Sequence, residues 1–153
     1  MNQINYKDFK IELVDNLDAD KKLNLLNSYQ KVFGEVNIEK FNSKIKCHNN
    51  FLFILVYDKE KVIAFKIGFA QDSEIFYSWI GGVEEEYRKN GLASKLMELQ
   101  HQWCQNNGFS IIETRTMDKF FNMLSLNLKY GFKIIGTFID YKKQTKIILN
   151  KYL

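Results

Sequence analysis

Cysteine is scarce in this sequence, and proline is absent. Only Cys47 and Cys104 occur, in unlike settings, and no Cys-x-x-Cys spacing suited to a metal or redox site is present. We therefore expect two ordinary free thiols, and we predict no metal site. His48 directly follows Cys47, but neighbouring residues point to opposite sides of a chain, which is a poor arrangement for a nucleophile and its base.

Other signals are missing as well. Neither Gly-x-x-x-x-Gly-Lys-Ser/Thr nor Gly-x-Gly-x-x-Gly occurs, which excludes the two best-known phosphate loops. No apolar run has the length of a membrane span, and residues 1–8 are polar, without the core of a signal peptide. The formal net charge is a modest +4 and the lysines are scattered. We thus expect a cytoplasmic protein that binds neither a membrane nor nucleic acid.

What is present is typical of a folded globular protein. The 153 residues are 46% apolar, which is enough for a substantial core, and we expect a single domain over residues 1–153. The abundance of Lys, Asn and Ile is typical of an AT-rich bacterial genome.

Hydrophobic periodicity predicts strands and helices in the order β-α-α-β-β-β-α-β-α-β-β, an α/β (α+β) pattern. Strands are predicted over Asp8–Val14, Phe51–Tyr57, Val62–Ala70, Ile75–Val83, Ser110–Met117, Lys133–Ile139 and Thr145–Leu149. Helices are predicted from a cap at Asp18 or Asp20 to Gly34, around Ile38–Ile45, from Leu92 to a stop at Asn107-Gly108, and over Lys119–Tyr130.

The segment Trp79–Ala93 is the most informative part of the chain. An apolar strand ends there in a charged turn that contains Gly91, and an amphipathic helix begins immediately afterwards. The first N–H groups of that helix have no partner within the helix, and the positive end of the helix dipole lies behind them. This arrangement predicts a phosphate or pyrophosphate site.

The spacing Arg88-x-x-Gly91-x-Ala93 resembles the acetyl-CoA motif of the GNAT superfamily of N-acetyltransferases. In that family an aromatic residue commonly precedes the Arg, as Tyr87 does, and an apolar residue stands five positions before it, as Val83 does. The chain departs from the pattern at Glu85, where the family often has Pro.

The resemblance implies the GNAT fold, a mixed and mostly antiparallel sheet of about six or seven strands with about four helices. It implies acetyl-CoA as co-substrate, with backbone groups near Gly82 to Glu85 meeting the pantetheine and the acetyl oxygen. The implied coenzyme residues in this region are Gly82, Val83, Glu85, Arg88, Lys89, Asn90, Gly91, Leu92, Ala93 and Ser94.

A second resemblance lies in the segment 122–132, which ends in Gly131-Phe132 as the corresponding helix does in many family members. Asn127 falls where the family has Asn or Tyr, and it is assigned to coenzyme binding. A Tyr at that place often protonates the departing thiolate, so the general acid is not identified; Tyr130 is near but on a different side of the helix. Phe120 replaces another family Asn, for which Asn122 is a possible substitute.

Glu113 is our candidate general base, because several family members carry Glu in a similar strand segment. The alternative is a strand Glu paired with a cation on a solvated face. We expect a bulge at Gly81-Gly82 to separate the strand ending at Val83 from the strand of Glu113. Glu84 to Glu86 either attract a cationic amine or form a solvated turn.

The sequence thus predicts an acetyl-CoA-dependent N-acetyltransferase that acts by direct transfer to a small-molecule or peptide amine, as a monomer or homodimer. The alternative is a GNAT-like module that binds an acyl-CoA without transfer. A nucleic-acid-binding domain would need a basic face that the scattered charges do not provide.

Overall fold

Two apolar runs, Phe51–Asp58 and Lys61–Ala70, form the centre of one sheet because almost every side chain in them is buried. The computed structural model describes residues 2–153. Its strands are β1 (Asn2–Tyr6), β2 (Phe9–Val14), β3 (Phe51–Asp58), β4 (Lys61–Ala70), β5 (Ile75–Val83), β6 (Ile111–Thr116), β7 (Lys133–Ile139) and β8 (Thr145–Tyr152). Its helices are α1 (Ala19–Phe33), α2 (Ile38–Cys47), α3 (Leu92–Asn106) and α4 (Phe121–Lys129), with a short 3₁₀ turn over Glu85–Tyr87.

The eight strands form a single sheet in the order β1-β2-β3-β4-β5-β6-β8-β7. All neighbours are antiparallel except β5 and β6, which are parallel because α3 crosses over between them. One apolar cluster, which includes Phe53 and Phe65, packs under α1 and α2. The other, which includes Leu96 and Met97 of α3, covers the opposite face. The α/β architecture predicted from periodicity is therefore confirmed.

The strand count was too low by one, since the sequence analysis did not predict β1. Residues 2–6 are largely exposed and polar, with only Ile4 and Tyr6 partly buried, so their pattern is weak. Pairing with β2 from Asn2 opposite Leu13 to Tyr6 opposite Phe9 holds them in the sheet. Pairing with β2 therefore determines that these residues form a strand, which their weak apolar pattern alone does not.

The ends of α1 confirm the predicted helix signals. The Asp18 side chain accepts a hydrogen bond of 2.8 Å from the Lys21 N–H, and Gly34 follows the last turn at φ +79°.

Candidate coenzyme and acceptor clefts

The parallel pair β5 and β6 separates partway along its length. The two strands are in register only from Ile75 opposite Ile111 to Ser78 opposite Thr114. Beyond that point β5 stays with β4 and β6 stays with β8. The separation opens a wedge through the sheet, as the resemblance to the GNAT family implied.

The bulge predicted at Gly81-Gly82 lies elsewhere. Ile67 is opposite Ile80 and Gly68 is opposite Ser78, so Trp79 is the extra residue. Gly81 and Gly82 are paired regularly with β4. A Cβ at Gly82 would lie 2.5 Å from Val32 Cγ1, so the glycine there permits close packing of α1 and does not form the bulge.

The turn after β5 holds the start of α3 in a defined shape. Arg88 Nε donates to the Val83 carbonyl at 3.1 Å, and Asn90 Nδ2 donates to the Tyr87 carbonyl at 3.0 Å. Lys89 and Gly91 have positive φ angles of 62° and 76°. Gly91 offers no side-chain cap to α3, so the first N–H groups of the helix remain available to a ligand.

The last residue of the edge strand β1 and the residue after it support this turn from a distant part of the sequence. Lys7 Nζ donates to the Asn90 carbonyl at 2.8 Å, and Tyr6 Oη donates to the same oxygen at 3.4 Å. A Cβ at Gly91 would lie 2.8 Å from Tyr6 Oη. These supporting residues were missed because nothing in the local sequence links residues 6 and 7 to residue 90.

A cleft of about 650 Å³ lies above the turn and the N-terminus of α3; we call it the coenzyme cleft. Its other wall comes from Lys119 and α4, including Asn122, the predicted substitute for the family Asn. Eight of the predicted coenzyme residues line it, namely Gly82, Val83, Arg88, Lys89, Gly91, Leu92, Ala93 and Ser94.

Three predicted coenzyme residues do not line the coenzyme cleft. Asn90 instead holds the turn through the Tyr87 carbonyl and accepts from Lys7. Glu85 is exposed at the start of the 3₁₀ turn. Asn127, which is 3% exposed, lines a neighbouring cleft.

The neighbouring cleft has a volume of about 620 Å³ and extends to the α1 and α2 side of the sheet; we call it the acceptor cleft. It meets the coenzyme cleft at the wedge, where four residues line both: Lys66, Gly81, Phe120 and Met123. Many of the side chains that line it are aromatic, including those of Tyr29, Phe41, Trp79 and Phe138.

Lys66 lines both clefts and was not predicted from the sequence. It stands on β4 opposite Gly81, and a Cβ on that glycine would lie 3.4 Å from Lys66 Cγ. Among residues 2–153 no ion pair joins Lys66 to a carboxylate. Burial lowers the pKa of its ammonium to about 8. The only signal for Lys66 in the sequence was its position as a charged residue within an otherwise apolar strand.

Glu113, the candidate base, lies just behind the acceptor cleft. It is 9% exposed, and its Oε2 is 3.6 Å from Arg115 Nη2. The Arg115 guanidinium lines the acceptor cleft and lies over the rings of Tyr77 and Phe138, at 5.5 and 5.2 Å. Glu113 is thus ion-paired, but it is not on a solvated face, and its catalytic role stays a prediction.

The three consecutive glutamates lie away from the acceptor cleft. Glu84 is 2% exposed, and its Oε2 is 3.1 Å from Lys61 Nζ and 3.7 Å from Lys31 Nζ. Glu85 and Glu86 belong to the 3₁₀ turn. None of the three lines the acceptor cleft, and their attraction of a cationic amine stays a prediction.

Tyr130 and the two cysteines were also considered from the sequence. Tyr130 Oη lies 3.5 Å from Glu98 Oε1 on α3, so this tyrosine faces a different side of α4 from Asn127, as expected. Cys47 and Cys104 are free thiols, as predicted, the first exposed and the second buried.

Within residues 2–153 no helix is long and apolar enough to cross a membrane. The same residues contain no group of three or more His, Cys, Asp or Glu side chains that could hold a metal ion.

Known structures share this fold over nearly the whole chain. A GNAT family acetyltransferase from Elizabethkingia anophelis with acetyl-CoA bound is 16% identical, with a TM-score of 0.75, and the match covers 97% of this chain and all of that one. The ribosomal-protein-S18-alanine N-acetyltransferase from Escherichia coli is 14% identical, with a TM-score of 0.77, and 93% of each chain is covered. An aminoglycoside 6′-N-acetyltransferase complexed with coenzyme A is 13% identical, with a TM-score of 0.75, over 93% of this chain and 96% of that one.

Comparison of the sequence alone gives one negative and one positive result. No curated protein matches the chain at a significant level. The sequence profile of the Acetyltransferase (GNAT) family, however, matches residues 22–132, which include the wedge, the turn at Gly91 and α4. The chain therefore belongs to the GNAT acetyltransferase family.

Proposed function

We propose that the protein transfers the acetyl group of acetyl-CoA to a primary amine, by direct attack of the amine on the thioester. The meeting of two clefts at the wedge carries this proposal. A thioester held at the junction would be within reach of a nucleophile in the acceptor cleft, and such positioning removes much of the entropic barrier to a bimolecular reaction.

The coenzyme cleft suits an anionic, elongated co-substrate. The uncapped N-terminus of α3 offers N–H groups and the positive end of the helix dipole to a pyrophosphate. Arg88, Lys89 and Lys119 line the same cleft and add positive charge. The pantetheine arm would then run along β5 toward the wedge.

Backbone N–H groups of β5 are suited to the acetyl oxygen. The Glu84 N–H donates to the Ile63 carbonyl on β4 at 2.9 Å. Because N–H directions alternate along a strand, those of Val83 and Gly81 point away from β4, into the wedge. Donors fixed in this way stabilise the oxyanion of a tetrahedral intermediate without reorganisation during the reaction.

Two side chains are proposed for proton transfer. Glu113 would accept the proton of the attacking amine through a water, beside Arg115. When the C–S bond breaks and its electron pair moves to sulfur, the Lys66 ammonium would donate a proton to the thiolate. Solvent would then reprotonate the neutral lysine. Lys66 would thereby take the part that Asn127, an amide, cannot perform.

A module that binds acyl-CoA without transfer is the second candidate, favoured by Asn127 at the family Tyr position and by Tyr130 facing Glu98. Initial rates of thiol release over a grid of acetyl-CoA and amine concentrations separate the candidates. Amine-dependent release with intersecting lines in the double-reciprocal plot supports direct transfer. Parallel lines contradict direct transfer, and coenzyme binding without amine-dependent release favours the module.

A further inference from the structure

The acceptor cleft carries an excess of positive charge. Besides Lys66 at the junction, its cationic side chains are Lys40, Lys44, Arg115, Lys142 and Lys146. Asp140 is the only carboxylate among its lining residues in the described part of the chain.

Two of these cations are already neutralised. Arg115 lies 3.6 Å from Glu113, and Lys146 lies 3.7 Å from Asp140. The N–H groups of Lys142 and Gln144 also donate to Asp140 Oδ1, each at 2.9 Å. These hydrogen bonds, with the nearby lysines, lower the pKa of Asp140. Asp140 therefore remains an anion, and it is already hydrogen-bonded within its own turn.

The remaining three lysines have no carboxylate partner among residues 2–153. Lys40 and Lys44 are one turn apart on α2, where like charges repel each other. Lys44 Nζ lies over the ring of Trp79 at 5.9 Å, which holds its charge at the aromatic wall. Lys142 faces the cleft from the β7–β8 turn. An anion bound between α2 and this turn would relieve the repulsion.

These lysines are not needed for the phosphates of the coenzyme. The phosphates would instead have Arg88, Lys89 and Lys119 as partners, which line the coenzyme cleft and do not line the acceptor cleft. The positive charge on the α2 side is therefore available to the second substrate.

From this charge balance we infer that the acceptor is a small primary amine that also carries a carboxylate or phosphate group, with its apolar part against the aromatic wall. This inference rests on the proposed transfer to an amine and adds the substrate class. The same cations would lower the pKa of the acceptor's ammonium group, since a like charge disfavours the protonated form. The cleft would thus favour the neutral amine that attacks the thioester.

Matched pairs of amines test the inference in the thiol-release assay. L-phenylalanine is compared with L-phenylalaninamide, glucosamine 6-phosphate with glucosamine, and spermidine serves as a cationic reference. The anionic member of at least one pair should have a kcat/KM about tenfold above its partner, equivalent to about 1.4 kcal/mol. Added salt should reduce the preference, because exposed charges are screened.

Two variants of α2 identify the residues responsible. Lys40→Gln combined with Lys44→Gln should raise the KM of the preferred anionic amine about five- to tenfold, with little change in kcat. Lys46→Gln is the matched control, since Lys46 is exposed on the same helix and does not line the cleft. It should leave KM within about twofold.

A binding measurement distinguishes failure of this inference from failure of the proposed function. Calorimetric titration of the anionic amines into protein saturated with coenzyme A reports acceptor binding without transfer. If they bind, and the double variant weakens their binding about five- to tenfold, the inference stands even where no thiol is released. If no anionic amine binds, or if the neutral and cationic amines react as well as the anionic ones, the inference is wrong.

Discussion

Substitution of Gly91 tests whether the turn before α3 holds the phosphates of the coenzyme. Gly91 has φ +76°, and Gly108, beyond the other end of the same helix, has φ +84°. An L-residue in this left-handed conformation costs about 1–2 kcal/mol. Alanine at either position should therefore lower the melting temperature, by about 2–4 °C per kcal/mol for a domain of this size.

Only the Gly91 variants should also affect the coenzyme. A Cβ at Gly91 would meet Tyr6 Oη at 2.8 Å, whereas one at Gly108 would meet nothing within 4 Å. Gly91→Asp adds a negative charge beside the phosphates. Two like charges about 4 Å apart repel by about 1 kcal/mol in water and by about 4 kcal/mol at an effective dielectric constant of 20. Acetyl-CoA affinity should thus fall between about fivefold and a thousandfold.

Calorimetric titration with acetyl-CoA measures this effect, and Gly108→Ala and Gly108→Asp are the matched controls. Both controls should bind acetyl-CoA as the unmodified protein does, despite their lower melting temperatures. If Gly91→Asp bound acetyl-CoA as tightly as Gly108→Asp, the phosphates would not lie at the N-terminus of α3.

Substitutions at three further positions probe other parts of the account. Glu113→Gln should lower kcat about 10²-fold or more with acetyl-CoA affinity nearly unchanged, and an unchanged pH–rate profile would remove Glu113 from the mechanism. Lys66→Met should lower kcat, most clearly below pH 8, where the Lys66 ammonium is protonated. Lys66→Arg keeps the charge but does not release its proton, so it should be nearly as slow, and a nearly full rate in Lys66→Arg would contradict proton donation. Lys7→Gln should weaken acetyl-CoA binding about two- to fivefold by removing the hydrogen bond to the Asn90 carbonyl; unchanged affinity in calorimetry would show that the turn needs no such support.

The parts of the fold that could be predicted are those fixed by local patterns. The apolar spacing of Leu92, Leu96 and Leu99 locates α3, and the continuous apolar run from Phe51 locates β3. The Arg88-x-x-Gly91-x-Ala93 spacing led to eight residues that line the coenzyme cleft for a similar reason, since they lie within the end of β5, one turn and the helix that follows.

The parts that were missed depend on contacts between distant residues. β1 has little apolar character, and sheet order fixes the hydrogen bonds that Tyr6 of β1 and the adjacent Lys7 donate to Asn90. The bulge lies at Trp79 because of its register against β4, whereas the glycines at 81 and 82 were the better local candidates. The charge of the acceptor cleft likewise arises where α2, β6 and the β7–β8 turn meet.

The most direct test of acetyl transfer measures both products in one sample. Protein is incubated with acetyl-CoA and a reactive amine from the matched pairs, and free coenzyme A and the acetylated amine are quantified together by mass spectrometry. The account predicts one acetylated amine for each coenzyme A released, and little release when the amine is omitted. Coenzyme A released without acetylated amine, or no turnover with any amine, would contradict it.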